Sequence, residues 1–339
     1  MNDEIKTLVC KADKENIIKA AGIIKAGGLA VFPTETVYGL GANALDPEAA
    51  KKIYAAKGRP SDNPLIIHLA DFAEAEKYVY TCGLFYKLAE IFMPGPLTVI
   101  LPKRAIIPRE VTGGLDTAAI RVPSNTAAFE LIKAAEVPIA APSANLSGKP
   151  SPTSVNHVIE DLFGKVDIIL DGGDSEIGLE STVVKINSEN NIILLRPGKI
   201  TYEELLSVCG DVEIGASVTE NFEGKPSAPG MKYRHYAPDA KVYLLDGEDE
   251  KIYEYLKNIL TENCGVLCYD EDLPHITRGS VISVGSKNNY EEQARSLFRC
   301  LREFKSVGII YARMPGRGGM GLAVYNRLIK AAGFEVIKL

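Results

Sequence analysis

The sequence predicts an α/β protein in two parts, a twisted mixed-sheet domain followed by a smaller doubly wound, Rossmann-like domain. Three observations carry that expectation. Strand-length apolar runs alternate with helix-like stretches along the whole chain. The runs after residue 166 follow one another closely, which points to an antiparallel portion. A Pro- and Gly-rich stretch without periodicity separates two such alternations, giving residues 1–210, a connection at 211–240, and residues 241–339.

In the first part, strands are expected at 29–32, 64–69, 97–101, 118–122, 138–141, 167–170, 181–186 and 192–195. Asp46-Pro47 supplies an N-cap and a first-turn proline for a helix through Ala49, Ala50, Ile53 and Tyr54. Ser124 precedes a helix carrying Phe129, Leu131 and Ile132, and Thr201 and Glu204 have capping-box spacing before Leu205 and Leu206. The connection holds Gly215, Gly224, Pro226, Pro229, Gly230 and Pro238. It is longer than a passive linker needs to be, a hint of function. Beyond it, strands at 241–245, 265–269, 281–284, 307–312 and 334–339 alternate with helices at 250–260, 290–304 and 322–332.

A length of 339 residues, 46% hydrophobic and 24% charged, suits two globular cores. No apolar run reaches membrane-span length, and the acidic residues 1–6 lack a signal peptide's apolar core, so a cytoplasmic location without membrane contact is expected. The net charge of −6 disfavours nucleic-acid binding by the surface as a whole while allowing a local basic patch. The six cysteines, 10, 82, 209, 264, 268 and 300, are scattered in apolar company and read as reduced thiols with no metal site.

No Walker-type phosphate loop, His-Glu-x-x-His or Gly-x-Ser-x-Gly is present, and four histidines make a triad hard to assemble. Polar residues gather instead at strand ends. Residues 33–41, Pro-Thr-Glu-Thr-Val-Tyr-Gly-Leu-Gly, pack hydroxyls, a carboxylate and two glycines into one loop, suited to a small polar ligand or to threonines bonding their own backbone. Lys57 and Arg59 could clamp a triphosphate, although a helix C-terminus attracts cations anyway. His68 sits in an apolar strand, as a core residue or a substrate donor. Arg121, in another, needs an anion, internal or bound. Ala141 to Gly148, Glu180-Ser181-Thr182 and Arg196-Pro197-Gly198 repeat the pattern, and together these strand ends favour one shared cleft. Gly316-Arg317-Gly318-Gly319-Met320-Gly321 matches Gly-x-Gly-x-x-Gly, but no acidic residue follows about 20 positions later, which favours a flexible turn or interaction loop over a dinucleotide site.

These residues resemble the threonylcarbamoyl-AMP synthase family, the YrdC-domain proteins in their long two-domain form. The likeness rests on the 33–41 run, Lys-x-Arg at 57–59, Ser-x-Asn at 143–145, Ser181-Thr182, Arg196-Pro197-Gly198 and the run at 227–238, and spans essentially the whole chain. It implies a YrdC-like first domain that joins L-threonine, bicarbonate (or CO2) and ATP into threonylcarbamoyl-adenylate with release of pyrophosphate. A separate transferase complex then uses the product on the adenosine beside the anticodon of ANN-decoding tRNAs. Weak direct contact with tRNA would fit that role. The resemblance implies Lys57 and Arg59 as catalytic residues at the phosphates, with Mg2+ bridging them. Ser143, Asn145, Ser151 and Arg196 would hold the nucleotide, with Asn63 and Thr117 nearby and Tyr236 folding over it as part of a lid. Thr36, His68, Arg121, Ala141 and Ser181 would frame threonine, Arg121 taking its carboxylate. A different class of reading is a non-enzymatic tRNA or double-stranded RNA binder, with Lys57, Arg59 and Lys103 along one groove. A carbamoyl transferase that matures a metalloenzyme is disfavoured by the lack of paired Cys-x-x-Cys motifs.

Overall fold

The computed structural model describes residues 5–188, 191–220 and 236–339. The connection at 221–235, which carries most of the expected lid, lies outside the described residues. The first part opens with β1 (Leu8–Lys11), α1 (Lys14–Lys25), β2 (Ala30–Phe32), β3 (Gly39–Asn43), α2 (Pro47–Lys57) and β4 (Ile66–His68). It continues through α3 (Gly83–Phe92), β5 (Leu97–Pro102), β6 (Thr117–Arg121), α4 (Thr126–Ala135), β7 (Ile139–Ala141) and α5 (Val155–Leu162). It closes with β8 (Ile168–Asp171), β9 (Thr182–Ile186), β10 (Asn191–Arg196), α6 (Tyr202–Cys209) and β11 (Asp211–Ile214). The second part holds β12 (Lys241–Asp246), α7 (Asp249–Ile259), β13 (Cys264–Cys268), β14 (Ser280–Ser283), α8 (Tyr290–Glu303), β15 (Ile309–Arg313), α9 (Gly321–Ala331) and β16 (Val336–Lys338).

Eleven strands form one mixed sheet in the order β1-β8-β2-β3-β7-β4-β6-β5-β9-β10-β11. The expected antiparallel portion is the β9–β10 pair, and β4 runs parallel to β6 but antiparallel to β7. Period-2 alternation divides the sheet's apolar side chains between two layers. Val31, Leu40, Ile67, Val99 and Ile120 face α2, α3, α5 and α6, while Phe32, Ile139, Ile168 and Leu170 face α1 and α4. Asp211–Ile214, which the sequence assigns to the connection, pairs in parallel with β10 and extends this sheet. The helix expected after Ser124 is capped by Asn125, whose side chain accepts from the amides of Ala127 and Ala128 at 3.0 and 3.2 Å.

The second sheet is wholly parallel, in the order β14-β13-β15-β12-β16. Helix α7 covers one face of it, and α8 and α9 the other. That second face also gathers Val37 and Leu179 from the first part and Val218 and Tyr236 from the connection, so the two parts share a core. All six cysteines are free thiols, four of them buried. Among the described residues no helix is long and apolar enough to cross a membrane, and no group of three or more His, Cys, Asp or Glu could hold a metal ion.

Candidate active site

Helix α2 starts where Asp46 caps the amides of Glu48 and Ala49 at 2.9 and 3.3 Å, with Pro47 in its first turn. It ends at Lys57 because Gly58 adopts the left-handed conformation (φ 60°). The Lys57 side chain leaves its own helix end. Its Nζ donates to the Ser143 carbonyl, and at 2.5 Å to that of Asn145. Dipole compensation is therefore not how this ammonium is used. Burial, with Arg59 beside it, pushes its pKa well below the ordinary lysine value. Half-buried Arg59 donates to the carbonyls of Asn63 and Pro64 at 3.3 and 3.2 Å, and burial brings it down to about 10.

The parallel register of β4 and β6 sets His68 beside Arg121, and antiparallel β7 places Ala141 opposite Ile66. His68 donates from Nδ1 to the Ile66 carbonyl at 3.1 Å. Burial and the Arg121 charge lower its pKa to about 3, so the imidazole is neutral at physiological pH. Arg121 has found an internal anion: Nη2 donates to Glu35 Oε1 at 2.7 Å and to Thr36 Oγ1 at 2.9 Å. Arg121 Nε and Glu35 Oε2 make no hydrogen bond. In the same loop Thr34 does bond its own backbone, accepting from the amides of Thr36 and Val37 at 3.2 Å. A side chain at Gly41 would come within 2.7 Å of Ile139 Cγ2 and 2.8 Å of Phe32 Cε1, so that glycine serves strand packing rather than a ligand.

One cavity gathers Thr36, Lys57, Arg59, His68, Arg121, Ala141, Ser143, Asn145, Ser151, Arg196 and Tyr236 in its lining. Of the residues expected at the site, Asn63, Thr117 and Ser181 stand outside it. Asn63 is buried behind Arg59, Thr117 begins β6, and Ser181 accepts from Arg196 through its carbonyl and its hydroxyl, both at 3.0 Å. In a chain of net charge −6, the lining carries five cations (Lys57, Arg59, Arg121, Lys149, Arg196) against one carboxylate, Glu180. Lys103, expected along the same groove in the RNA-binder reading, is not in this lining; it donates to the Ile107 carbonyl at 2.7 Å.

The sequence singled out neither of the two arginines by which the second part holds this cavity. Arg302 of α8 binds Asp161 at 2.6 Å and the Pro150 carbonyl at 2.6 Å, pinning the 147–151 loop. Arg327 of α9 binds Glu180 at 2.9 Å, and Glu180 in turn accepts from Ser151 at 2.5 Å. Arg327 stands with Asn326 and Lys330 among apolar residues of α9, and charge within such a run is the one signal that could have marked it. Tyr236 lies beneath this arginine, 5.7 Å from ring centroid to guanidinium, and stacks on Phe298 at 5.2 Å. Its backbone is left-handed (φ 64°), a conformation that costs a non-glycine residue about 1 kcal/mol and that these contacts hold in place.

A family described as Telomere recombination matches residues 22–198, and one described as Threonylcarbamoyl-AMP synthase, C-terminal domain, matches residues 200–333. The chain is 47% identical to the threonylcarbamoyl-AMP synthase of Pyrococcus abyssi, over 94% of this chain and 95% of that one. This chain belongs to the threonylcarbamoyl-AMP synthase family. The Bacillus subtilis threonylcarbamoyl-AMP synthase is 44% identical over 100% of this chain and 97% of its own. The crystal structure of Pyrococcus abyssi Sua5 complexed with L-threonine superposes with a TM-score of 0.90 at 44% identity, covering 99% of each chain. As a threonylcarbamoyl-AMP synthase in the two-domain form, the chain is an enzyme, which sets the RNA-binder reading aside.

Proposed function

We propose that this enzyme condenses L-threonine, bicarbonate (or CO2) and ATP into L-threonylcarbamoyl-AMP in the cavity of the first part, releasing pyrophosphate. The observation that carries the proposal is the convergence of five cations and small polar groups from separate strand ends in one lining. The threonine amine takes up the carbon as a carbamate, with loss of water from bicarbonate. A carbamate oxygen attacks the α-phosphorus in line, the P–O bond to the β-phosphate breaks, and pyrophosphate leaves. Such a step needs alignment and charge neutralisation more than a strong base.

Lys57 and Arg59 neutralise the phosphates, and Ser143, Asn145, Ser151 and Arg196 hold the nucleotide. Asn63 and Thr117 act from behind, Asn63 by fixing Arg59. Thr36, His68, Arg121 and Ala141 frame threonine, with Ser181 positioning Arg196. Arg121 shares its charge with Glu35, and its Nε, which makes no hydrogen bond, is the donor left for the amino-acid carboxylate beside neutral His68. Both Glu180 oxygens and one of Glu35 are already committed to hydrogen bonds, so Mg2+ enters as part of the ATP substrate. In this reading residues 1–210 form the catalytic domain, 211–240 the connection and lid, and 241–339 the domain that buttresses it. The product passes to a cytoplasmic transferase complex that modifies ANN-decoding tRNAs, with weak tRNA contact at most.

Incubation with ATP, L-threonine and bicarbonate is expected to give threonylcarbamoyl-AMP by mass spectrometry and one pyrophosphate per product. Omission of threonine or bicarbonate stops both. ATP turnover indifferent to threonine would contradict the proposal.

A further inference from the structure

The run from Gly316 to Gly321 has no part in the catalytic cavity. Its first two residues, Gly316 and Arg317, line a second cavity, at the carboxyl edge of the small parallel sheet. Neighbouring strands β12 and β15 lead to helices on opposite faces. Leu245 packs with α7 on one side, and Leu244 and Ala312 pack with α9 on the other. Where adjacent parallel strands send their chains apart in this way, a crevice opens beyond their carboxyl ends, the usual place for a ligand in such sheets. Here the segments following all four strands β12 to β15 converge on it, bringing Asp246, Tyr269, Lys287, Tyr290, Arg313 and Arg317 into the lining.

Arg313 is the telling residue. It is 5% exposed, lies 5.9 and 5.7 Å from the ring centroids of Tyr253 and Tyr269, and contacts Asp249 and, at 3.4 Å, Asp272. Its Nη1 nevertheless has no hydrogen-bond partner, which is costly for a buried guanidinium. Lys287 shares Asp249 with it at 2.8 Å, and exposed Arg317 lies over the Tyr325 ring at 4.3 Å. The lining therefore sets three cations, Lys287, Arg313 and Arg317, against two carboxylates, Asp246 and Asp249. The two ends of the glycine run, Gly316 and Gly321, lie against Tyr290, while Gly318 and Gly319 face open space. A Cβ on Gly316 would stand 2.1 Å from its hydroxyl oxygen, and one on Gly321 would stand 2.6 Å from the Gly316 carbonyl oxygen. That closeness leaves backbone, not side chains, at the rim next to the cations.

We propose that this crevice is a second ligand site, distinct from the catalytic cavity, that takes a small phosphate-bearing molecule. Its phosphate lies against the backbone of Gly316 and Arg317, beside the open Gly318 turn, between Lys287 and Arg317, with the body of the ligand toward Tyr269 and Arg313. The loop opens α9, and Arg327 lies six residues on, about 9 Å along the helix axis, so an occupant sits at the far end of the helix that grips Glu180.

Hydrogen exchange of the full chain, with inorganic phosphate and with AMP as probes, tests the site. Exchange is read in peptides covering 314–322, separately from those covering 141–151 of the catalytic cavity. Two variants accompany it: Arg317→Glu, and Gly318→Asp, where a Cβ meets nothing within 4 Å and the fold is not at risk. At least one probe is expected to slow exchange at 314–322 in the natural chain. Each variant raises the concentration needed at least 10-fold, while threonine-dependent pyrophosphate release without added probe is unchanged. Protection by phosphate alone assigns recognition to the anion; protection by AMP only adds the nucleoside. Unchanged exchange at 314–322 with both probes at saturation of 141–151, or protection that both variants retain at natural concentrations, overturns the proposal.

Discussion

Arg327 Nε lies 2.9 Å from Glu180 Oε2, joining a fully buried guanidinium of the second part to the one carboxylate in the lining of the candidate site. The same arginine donates to the Pro197 carbonyl at 2.7 Å and to the Glu180 carbonyl at 3.2 Å. Burial pushes the Glu180 carboxyl up, but Arg327, Arg196 and the Ser151 hydroxyl more than reverse this and hold it below the usual glutamate value. The small domain thus fixes the ionisation of the cleft as well as its shape.

Breaking this pair by Arg327→Met leaves a buried carboxylate without its main partner and is expected to cost about 3–5 kcal/mol of stability. Arg327→Met combined with Glu180→Gln is expected to cost less than the sum of the single changes by at least 1 kcal/mol. Urea unfolding of the four proteins measures the coupling. Additive costs would remove the pair from its proposed role.

His68 supplies the pH prediction. Its folded pKa of about 3 lies below the ordinary value of 6.5, so the folded protein binds fewer protons between these limits. Stability contributed by neutral His68 is fully present above 6.5 and is lost as pH falls toward 3. The loss is about 2 kcal/mol by pH 5. In His68→Asn the unfolding free energy is expected to fall correspondingly less between pH 7 and pH 5. Parallel pH profiles for the two proteins would contradict the assignment.

Tyr236 lines the cavity, and in the proposed mechanism its ring closes it. Burial and the nearby Glu180 push its hydroxyl up to about 12, so it stays protonated in any practical assay. Tyr236→Phe keeps the stack on Phe298 but loses the hydroxyl's bond to Arg196, and is expected to lower turnover by about 10-fold without changing the product ratio. Tyr236→Ala admits water to a mixed anhydride and is expected to raise the fraction of AMP over threonylcarbamoyl-AMP at least several-fold. The product ratio, read by chromatography, checks this; an unaltered ratio in Tyr236→Ala would deny the ring a lid role.

What the sequence made legible was local. Helices α2 and α6 announce themselves through Asp46-Pro47 and the Thr201–Glu204 box, both formed as expected. Helix α3 starts at Cys82, which is no capping residue, and α5 at Ser154, a capping type that forms no side-chain cap bond. Helix α1 does carry its cap, Asp13, and a buried face of Ile17, Ala20, Ala21 and Ile24, but Gly22 interrupts the pattern. Strand β3, Gly-Leu-Gly-Ala-Asn, has no β-branched residue to declare it. At the site, the strand-end polar groups were readable one by one, because each ends an apolar run. The partners of Glu180 and Asp161 were not, since Arg327 and Arg302 lie 147 and 141 positions away and only the docking of α8 and α9 brings them near.

The central claim is that cations gathered in the 57–196 cleft neutralise the phosphates of ATP during adenylation of a threonine-derived carbamate. Pyrophosphate release by Arg59→Ala, with threonine, bicarbonate and ATP all present, tests it most directly. Arg59 hydrogen-bonds only to backbone carbonyls of its own loop among the described residues, so its loss leaves no buried carboxylate behind. A fall of at least 100-fold is expected, corresponding to about 2.7 kcal/mol of transition-state stabilisation, with folding intact by circular dichroism. Turnover within a few-fold of the natural chain would contradict the account.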